Sequence, residues 1–176
     1  ESSNLALRGA AAAYGRKRKK IVISGVEHAS VRSAASYLEA NGFTVVTVLP
    51  REDGLFYGAD FLSALDDDTC LLSMMMVNNE NGYRLPVEEV FRGAKRRFPE
   101  LITHCDAVQG FLKIPFRTRT LGADLISLSG HKVHAAKGVG ALFVKQGIRL
   151  KPILFGGHQE SELRPGTESV SYTHLT

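Results

Sequence analysis

Ser127-Leu128-Ser129-Gly130-His131-Lys132 ends in a lysine that stands beside a hydroxyl and an imidazole. A lysine on the turn leaving a buried strand is placed to form a Schiff base with a carbonyl cofactor, and Ser129 and His131 are placed to grip a phosphate. Taken alone, the hexapeptide also reads as a surface turn with a solvated lysine. A cofactor that works as an electron sink needs more than a lysine. It needs an acid for a ring nitrogen and donors for a phenolate oxygen. Asp106 offers the acid, although in isolation it also reads as a helix N-cap. Asn79 and Gln109 are neutral hydrogen-bonders suited to the phenolate, or to loop backbone. His28 could stack on a ring or shuttle a proton, and a lone histidine in a strand-end loop is also simply polar.

These residues must be positioned by the elements around them. Helical spacing of Leu5, Gly9, Ala12 and Ala13 predicts a helix over 3–14. Lys20 to Ser24 reads as a strand. Val31, Ala34, Ala35 and Leu38 mark a second helix, stopped by Asn41-Gly42. The β-branched run from Phe43 to Val48 is the next strand. Phe61, Leu62 and Leu65 suggest a short helix, and Cys70 to Met76 a continuous apolar strand. Pro86 is expected to open a helix at its first position, with Val87, Val90, Phe91, Ala94 and Phe98 on one face. Strands follow at 101–105, 124–128 and 141–144. This alternation predicts an α/β fold, three αβα layers with a mostly parallel sheet. In such sheets ligands sit at the carboxyl ends of strands. His28, the Asn78-Asn79-Glu80 stretch, Asp106 and the segment from Ser129 to Lys132 each follow a predicted strand.

At 176 residues, with 44% hydrophobic and 23% charged, the chain can bury a real core and is no disordered tail. Its net charge of +4 owes much to Arg16-Lys17-Arg18-Lys19-Lys20. That run lies between a helix and a strand and lacks interleaved aromatics, so it reads as a solvated linker rather than a nucleic-acid surface. Two cysteines, Cys70 and Cys105, give no disulfide framework and are expected to be reduced and buried. No signal peptide and no apolar run of about 20 residues is visible, so a cytoplasmic location without a membrane span is expected. No paired zinc spacing and no phosphate-loop lysine motif is present, so neither a metal site nor a nucleotide site is expected.

Several stretches together carry a resemblance. They are Glu1 to Ala6, Glu27 to Val31, Val77 to Gly82, His104 to Gln109, Ser129 to Lys132, Lys137 to Leu142, Gly156 to Glu160, and Arg164 to Glu168. In this order the chain resembles the pyridoxal-phosphate-dependent cysteine desulfurases of the NifS/IscS type, in the class V aminotransferase superfamily, over roughly residues 1–168. The resemblance implies the large domain of the fold-type I pyridoxal-phosphate transferases. It implies that Lys132 holds pyridoxal 5'-phosphate covalently and that Asp106 pairs with its ring nitrogen. Gln109, with Asn79 nearby, would contact the phenolate side, and Ser129 and His131 the phosphate. His28 would stack on the ring as a candidate acid or base. A threonine matching Thr167 reaches the phosphate of the partner subunit's cofactor in this family, which implies a homodimer. The implied reaction takes sulfur from L-cysteine, leaving L-alanine and an enzyme persulfide for an iron–sulfur scaffold or a thiolation acceptor.

Some family features are not matched. The phosphate-binding threonine would directly precede Glu1. The small C-terminal domain, with its catalytic cysteine loop and the arginine for the substrate carboxylate, is expected to lie outside the chain. Neither Cys70 nor Cys105 matches the nucleophile, which needs a mobile, exposed loop. Residues 169–176 lack the apolar helix pattern expected there and read as a non-native or disordered tail. The alternatives are a selenocysteine lyase, another class V enzyme, or an inactive scaffold that binds only the cofactor.

Overall fold

Each parallel strand sends alternate side chains to two different helical layers, and this builds the fold. A computed structural model describes residues 1–166. Thr167 and the 169–176 tail lie outside the described residues. The chain runs α1 (Ser2–Tyr14), β1 (Lys20–Ser24), α2 (Ala29–Ala40), β2 (Thr44–Val48), α3 (Gly58–Ser63) and β3 (Thr69–Met75). It continues through α4 (Val87–Arg97), β4 (Ile102–Asp106), α5 (Thr118–Leu121), β5 (Leu125–Ser129) and β6 (Gly140–Val144), with short 3-10 turns at Gly130–Lys132 and Gln159–Glu162. One six-stranded sheet has the order β2-β1-β3-β4-β5-β6. All neighbours are parallel except the β5–β6 pair, which is antiparallel.

Ile21, Ile23, Leu71, Ile102 and Leu125 face α1 and α2, where they meet Leu7, Ala10, Val31 and Leu38. Val22, Leu72, Met74, Cys105 and Ile126 face the other way, onto Phe61, Val90, Phe91 and Ala94 of α3 and α4. The result is the predicted three-layer αβα arrangement, with a sheet covered on both faces. All seven residues of β3 are buried, as a central strand requires. One polar chain crosses the interior. His104, fully buried, lies 2.8 Å through Nδ1 from Ser73 Oγ and 2.9 Å through Nε2 from Ser127 Oγ. A neutral imidazole, one donor and one acceptor, fits between two hydroxyls.

Some details differ from the sequence expectation, helix α5 among them. Helix α4 begins at Val87 because Pro86 takes the non-helical cap position, with ψ 50°. Glu88 and Glu89 in the first turn and Lys95, Arg96 and Arg97 in the last then match the helix dipole. Strand β4 runs one residue further and includes Asp106. The basic run is partly engaged rather than simply solvated: Lys20 pairs with Asp66 at 2.8 Å, Lys19 N donates to Asp68 Oδ1 at 3.1 Å, and Arg18 Nη2 donates to the Glu100 carbonyl at 3.3 Å. Among the described residues no helix is long and apolar enough to cross a membrane, and no group of three or more His, Cys, Asp or Glu could hold a metal ion.

Candidate active site

The sheet order creates a crevice. β1 pairs with β2 on one side and β3 on the other, so successive connections leave it in opposite directions. Such a switch point opens at the carboxyl ends of the strands, where ligands of open α/β sheets bind. Asp106 is the last residue of β4 and only 4% exposed. Its Oδ1 accepts from Val108 N at 3.0 Å, and no lysine or arginine pairs with it among the described residues. Burial pushes its carboxyl above the usual range, while the Val108 N–H and nearby His28 pull the other way.

His28 is exposed in the loop that leaves β1 and caps α2. Its Nδ1 accepts from Ser30 N at 3.2 Å and lies 2.9 Å from Ser30 Oγ. A backbone N–H can only donate, so Nδ1 serves as an acceptor here, and Nε2 has no partner among the described residues. At the end of β5, Ser129 Oγ is 2.7 Å from His131 Nδ1. Lys132 closes the 3-10 turn that follows, and its exposed amine has no hydrogen bond or ion pair among the described residues. That turn is held by Gly130 N donating to Val139 O at 2.8 Å and Ala135 N donating to Gly130 O at 3.0 Å. The start of α1 lies at the same end of the sheet, with Ser2 Oγ 3.5 Å from Leu128 O. Leu5 N makes the first intrahelical bond, to Glu1 O, so the earlier N–H groups have no partner within the helix and face this end.

Asn79 is exposed and has no side-chain hydrogen bond among the described residues. Gln109 is half-buried, and its Oε1 accepts from Lys113 Nζ at 3.0 Å, which leaves its NH2 group for an outside acceptor. Cys70 and Cys105 are both buried thiols. Burial raises Cys70 to about 11 and holds Cys105 well above the ordinary thiol value, so neither supplies a thiolate near neutral pH.

Two residues here escaped the sequence reading. Asn78, 7% exposed, donates from Nδ2 to Val26 O at 3.2 Å, and its Oδ1 accepts from Glu80 N at 2.9 Å and Asn81 N at 3.1 Å. It pins the exit of β3 to the exit of β1. Glu27 is fully buried. Its signal in the sequence was an acid directly before His28. A cleft of about 430 Å³ lined by Met76, Arg84, Phe116 and Arg117, among others, shares none of the predicted site residues.

A family model for aminotransferase class-V matches residues 1–173. Cysteine desulfurase 2 of Trichormus variabilis is 40% identical over 170 residues, which cover 97% of this chain and 42% of that protein. A solved NifS-like protein superposes with a TM-score of 0.90 at 37% identity, covering 95% of this chain and 46% of the other. A structure of SspA in complex with cysteine gives a TM-score of 0.88 at 35% identity, covering 95% of this chain and 48% of the other. The chain therefore spans less than half the length of the relatives it matches.

Proposed function

The chain belongs to the class-V aminotransferase family, and from that membership we propose that it is part of the large domain of a pyridoxal-phosphate-dependent cysteine desulfurase. The observation that carries this reading is Asp106, a buried carboxyl at a strand end with no cationic partner among the described residues. A buried acid of this kind suits a cationic ring nitrogen, which would supply the missing charge. The free Lys132 amine, the bonded Ser129–His131 pair and the open start of α1 lie at the same end of the sheet. A lysine anchor, two phosphate-binding side chains and a helix N-terminus are the parts that a phosphorylated carbonyl cofactor needs.

In this reading Lys132 is the covalent anchor and Ser129 and His131 bind the phosphate. When bound, pyridoxal phosphate supplies an electron sink that loosens bonds at the α-carbon of an amino acid. Asp106 keeps a proton at the ring nitrogen, and the NH2 group of Gln109, with Asn79, donates toward the phenolate side. With Nδ1 held by Ser30, His28 has Nε2 left as its candidate acid–base atom toward the ring. The substrate would be L-cysteine, the compound in the SspA structure. Neither cysteine of the chain fits the sulfur-accepting role, because both are buried and protonated. That thiol is assigned to a part of the protein beyond these 176 residues. A homodimer with Thr167 against the partner's cofactor, delivery of sulfur to an iron–sulfur scaffold or a thiolation acceptor, and a cytoplasmic location complete the proposal.

A second reading, cofactor binding without sulfur transfer, is favoured for the chain by itself by the same two buried thiols. The test is to add pyridoxal phosphate, record the visible absorbance of lysine-bound cofactor, and fix it with borohydride. Lys132→Ala is expected to abolish the fixed adduct. An adduct that persists in Lys132→Ala, or no adduct in the unaltered chain, would overturn the assignment. Alanine and persulfide formation from L-cysteine in the whole protein separates the two readings.

A further inference from the structure

Glu27 is fully buried at the switch point, between the exits of β1 and β3. Both donors that reach it converge on one oxygen. Ser24 Oγ donates to Oε1 at 2.5 Å, and Met75 N donates to the same Oε1 at 2.6 Å. The other oxygen, Oε2, is buried and has no hydrogen-bond partner among the described residues. A charged carboxylate would leave half its negative charge unsolvated on Oε2, at a large cost. A neutral acid avoids most of that cost, with Oε1 as the carbonyl-type acceptor and the proton on Oε2.

The neighbourhood points the same way. Met75, whose N–H holds Glu27 Oε1, is the register partner of Asp106, so the Glu27 carboxyl is bound to the strand that adjoins Asp106. The other groups facing Glu27 are Ser24 on β1, Cys105 on β4, and Arg32 on α2, whose Nη1 donates to the Glu27 main-chain oxygen at 2.9 Å. His28 follows in sequence and faces Asp106. Negative charge on Asp106 therefore disfavours negative charge on Glu27.

Resting on the cofactor reading above, we propose that Glu27 is a positioning residue for Asp106. Wedged between β1 and β3, it holds a proton, so that Asp106 alone presents negative charge to the cofactor ring. Burial, with Asp106 adding to it, raises the Glu27 carboxyl to about 8, which keeps it neutral over the range in which Asp106 ionises beside a cation. The role is electrostatic as well as mechanical. A neutral isostere should therefore replace Glu27, whereas a truncation should not.

The test begins with the cofactor-free chain, labelled with ¹³C at the glutamate carboxyls, the Glu27 resonance being assigned by its loss in Glu27→Gln. The Glu27 midpoint is expected near 8, and Asp106→Asn is expected to lower it. A midpoint in the ordinary glutamate range, or one that ignores Asp106→Asn, would overturn the proposal. The second measurement is pyridoxal phosphate affinity near neutral pH. Glu27→Gln should stay within about twofold of the parent, and Glu27→Ala should lose on the order of tenfold. A loss in Glu27→Gln as large as that in Glu27→Ala would show that the charge of Glu27 is what the site uses, and would also overturn it. The carboxyl titration needs no cofactor. A chain that fails to bind pyridoxal phosphate therefore sinks the functional reading while the Glu27–Asp106 coupling is still measured.

Discussion

Acid should expose the buried histidine of β4, and the form of the response identifies it. Burial drives His104 from its ordinary 6.5 down to about 3. Below 6.5 the unfolded chain takes up a proton that the folded chain refuses. The His104 contribution is thus present above 6.5 and lost as pH falls toward 3, at about 1.4 kcal/mol per pH unit and on the order of 5 kcal/mol in all. Glu27 acts in the opposite sense. The folded chain keeps that proton up to about 8, while the unfolded chain releases it near 4.5. Its contribution is full below 4.5 and is lost as pH rises through 8, with a similar magnitude. Asp106, also raised, adds in the same sense as Glu27. Between 4.5 and 6.5 the two main slopes oppose and nearly cancel, and above 6.5 Glu27 acts alone. His104→Gln should therefore do two things. It should cost about 1–3 kcal/mol at neutral pH, because a buried hydroxyl of Ser73 or Ser127 loses its partner. It should also make the protein gain stability on acidification from 6.5 to 4.5, at about 1.4 kcal/mol per pH unit. Urea unfolding of the cofactor-free chain, followed by circular dichroism at closely spaced pH values, measures both. A His104→Gln profile that merely runs parallel to the parent would refute the neutral buried imidazole.

Asp124→Ala should cost about 3–5 kcal/mol. The buried carboxylate pairs with Lys95, lies 3.5 Å from Lys145 Nζ, and accepts from Thr103 N and Oγ1 at 3.1 and 3.2 Å; a urea-unfolding loss under about 1 kcal/mol would contradict this. Gly15→Ala should cost about 1–3 kcal/mol, because its new Cβ would sit 2.4 Å from both Ala11 O and the Phe43 ring; a thermal midpoint equal to the parent's would show that this contact relaxes freely. Asn78→Ala removes the bond that ties the β3 exit to Val26 after β1, with two bonds that shape the Glu80–Asn81 turn, and should cost about 2–3 kcal/mol. It should also weaken pyridoxal phosphate binding in an absorbance titration, and unchanged affinity would mean that the site does not depend on this pin.

Much of the frame was legible because it rests on local patterns. Continuous apolar runs such as Cys70 to Met76 marked central parallel strands, and Val87, Val90, Phe91 and Ala94 marked the buried face of α4. Helix α5 was missed because four residues give no period to read; Gly122 at φ 73°, which ends it, was the one available sign. The polar residues at strand ends could be found because each interrupts an apolar run. Their partners could not. Whether Asn78 or Asn79 turns inward depends on the bend after β3, and adjacent identical residues carry no sign of it. Glu27 needs Met75, 48 positions away, and that contact exists only because β3 was laid beside β1. The engagement of Gln109 by Lys113 likewise depends on the turn that brings them together.

Helix α1 is among the last of the described elements to find its full seat. It packs against α2 and across β3, β4, β5 and β6. Ser2 reaches Leu128, the Gly9 carbonyl accepts from Lys151 N at 3.1 Å, and the Tyr14 hydroxyl accepts from Arg149 N at 2.9 Å. More than a hundred residues must emerge from a ribosome before that seat exists. Until then α2 is the main cover for the apolar side of α1, with Leu5, Leu7, Ala10 and Ala11. Loop closure over such a distance adds little to the equilibrium cost, but it places these contacts late in folding. Before that seat is made the apolar helix is only partly covered, and this is the stage at which chaperone engagement and aggregation compete with correct assembly.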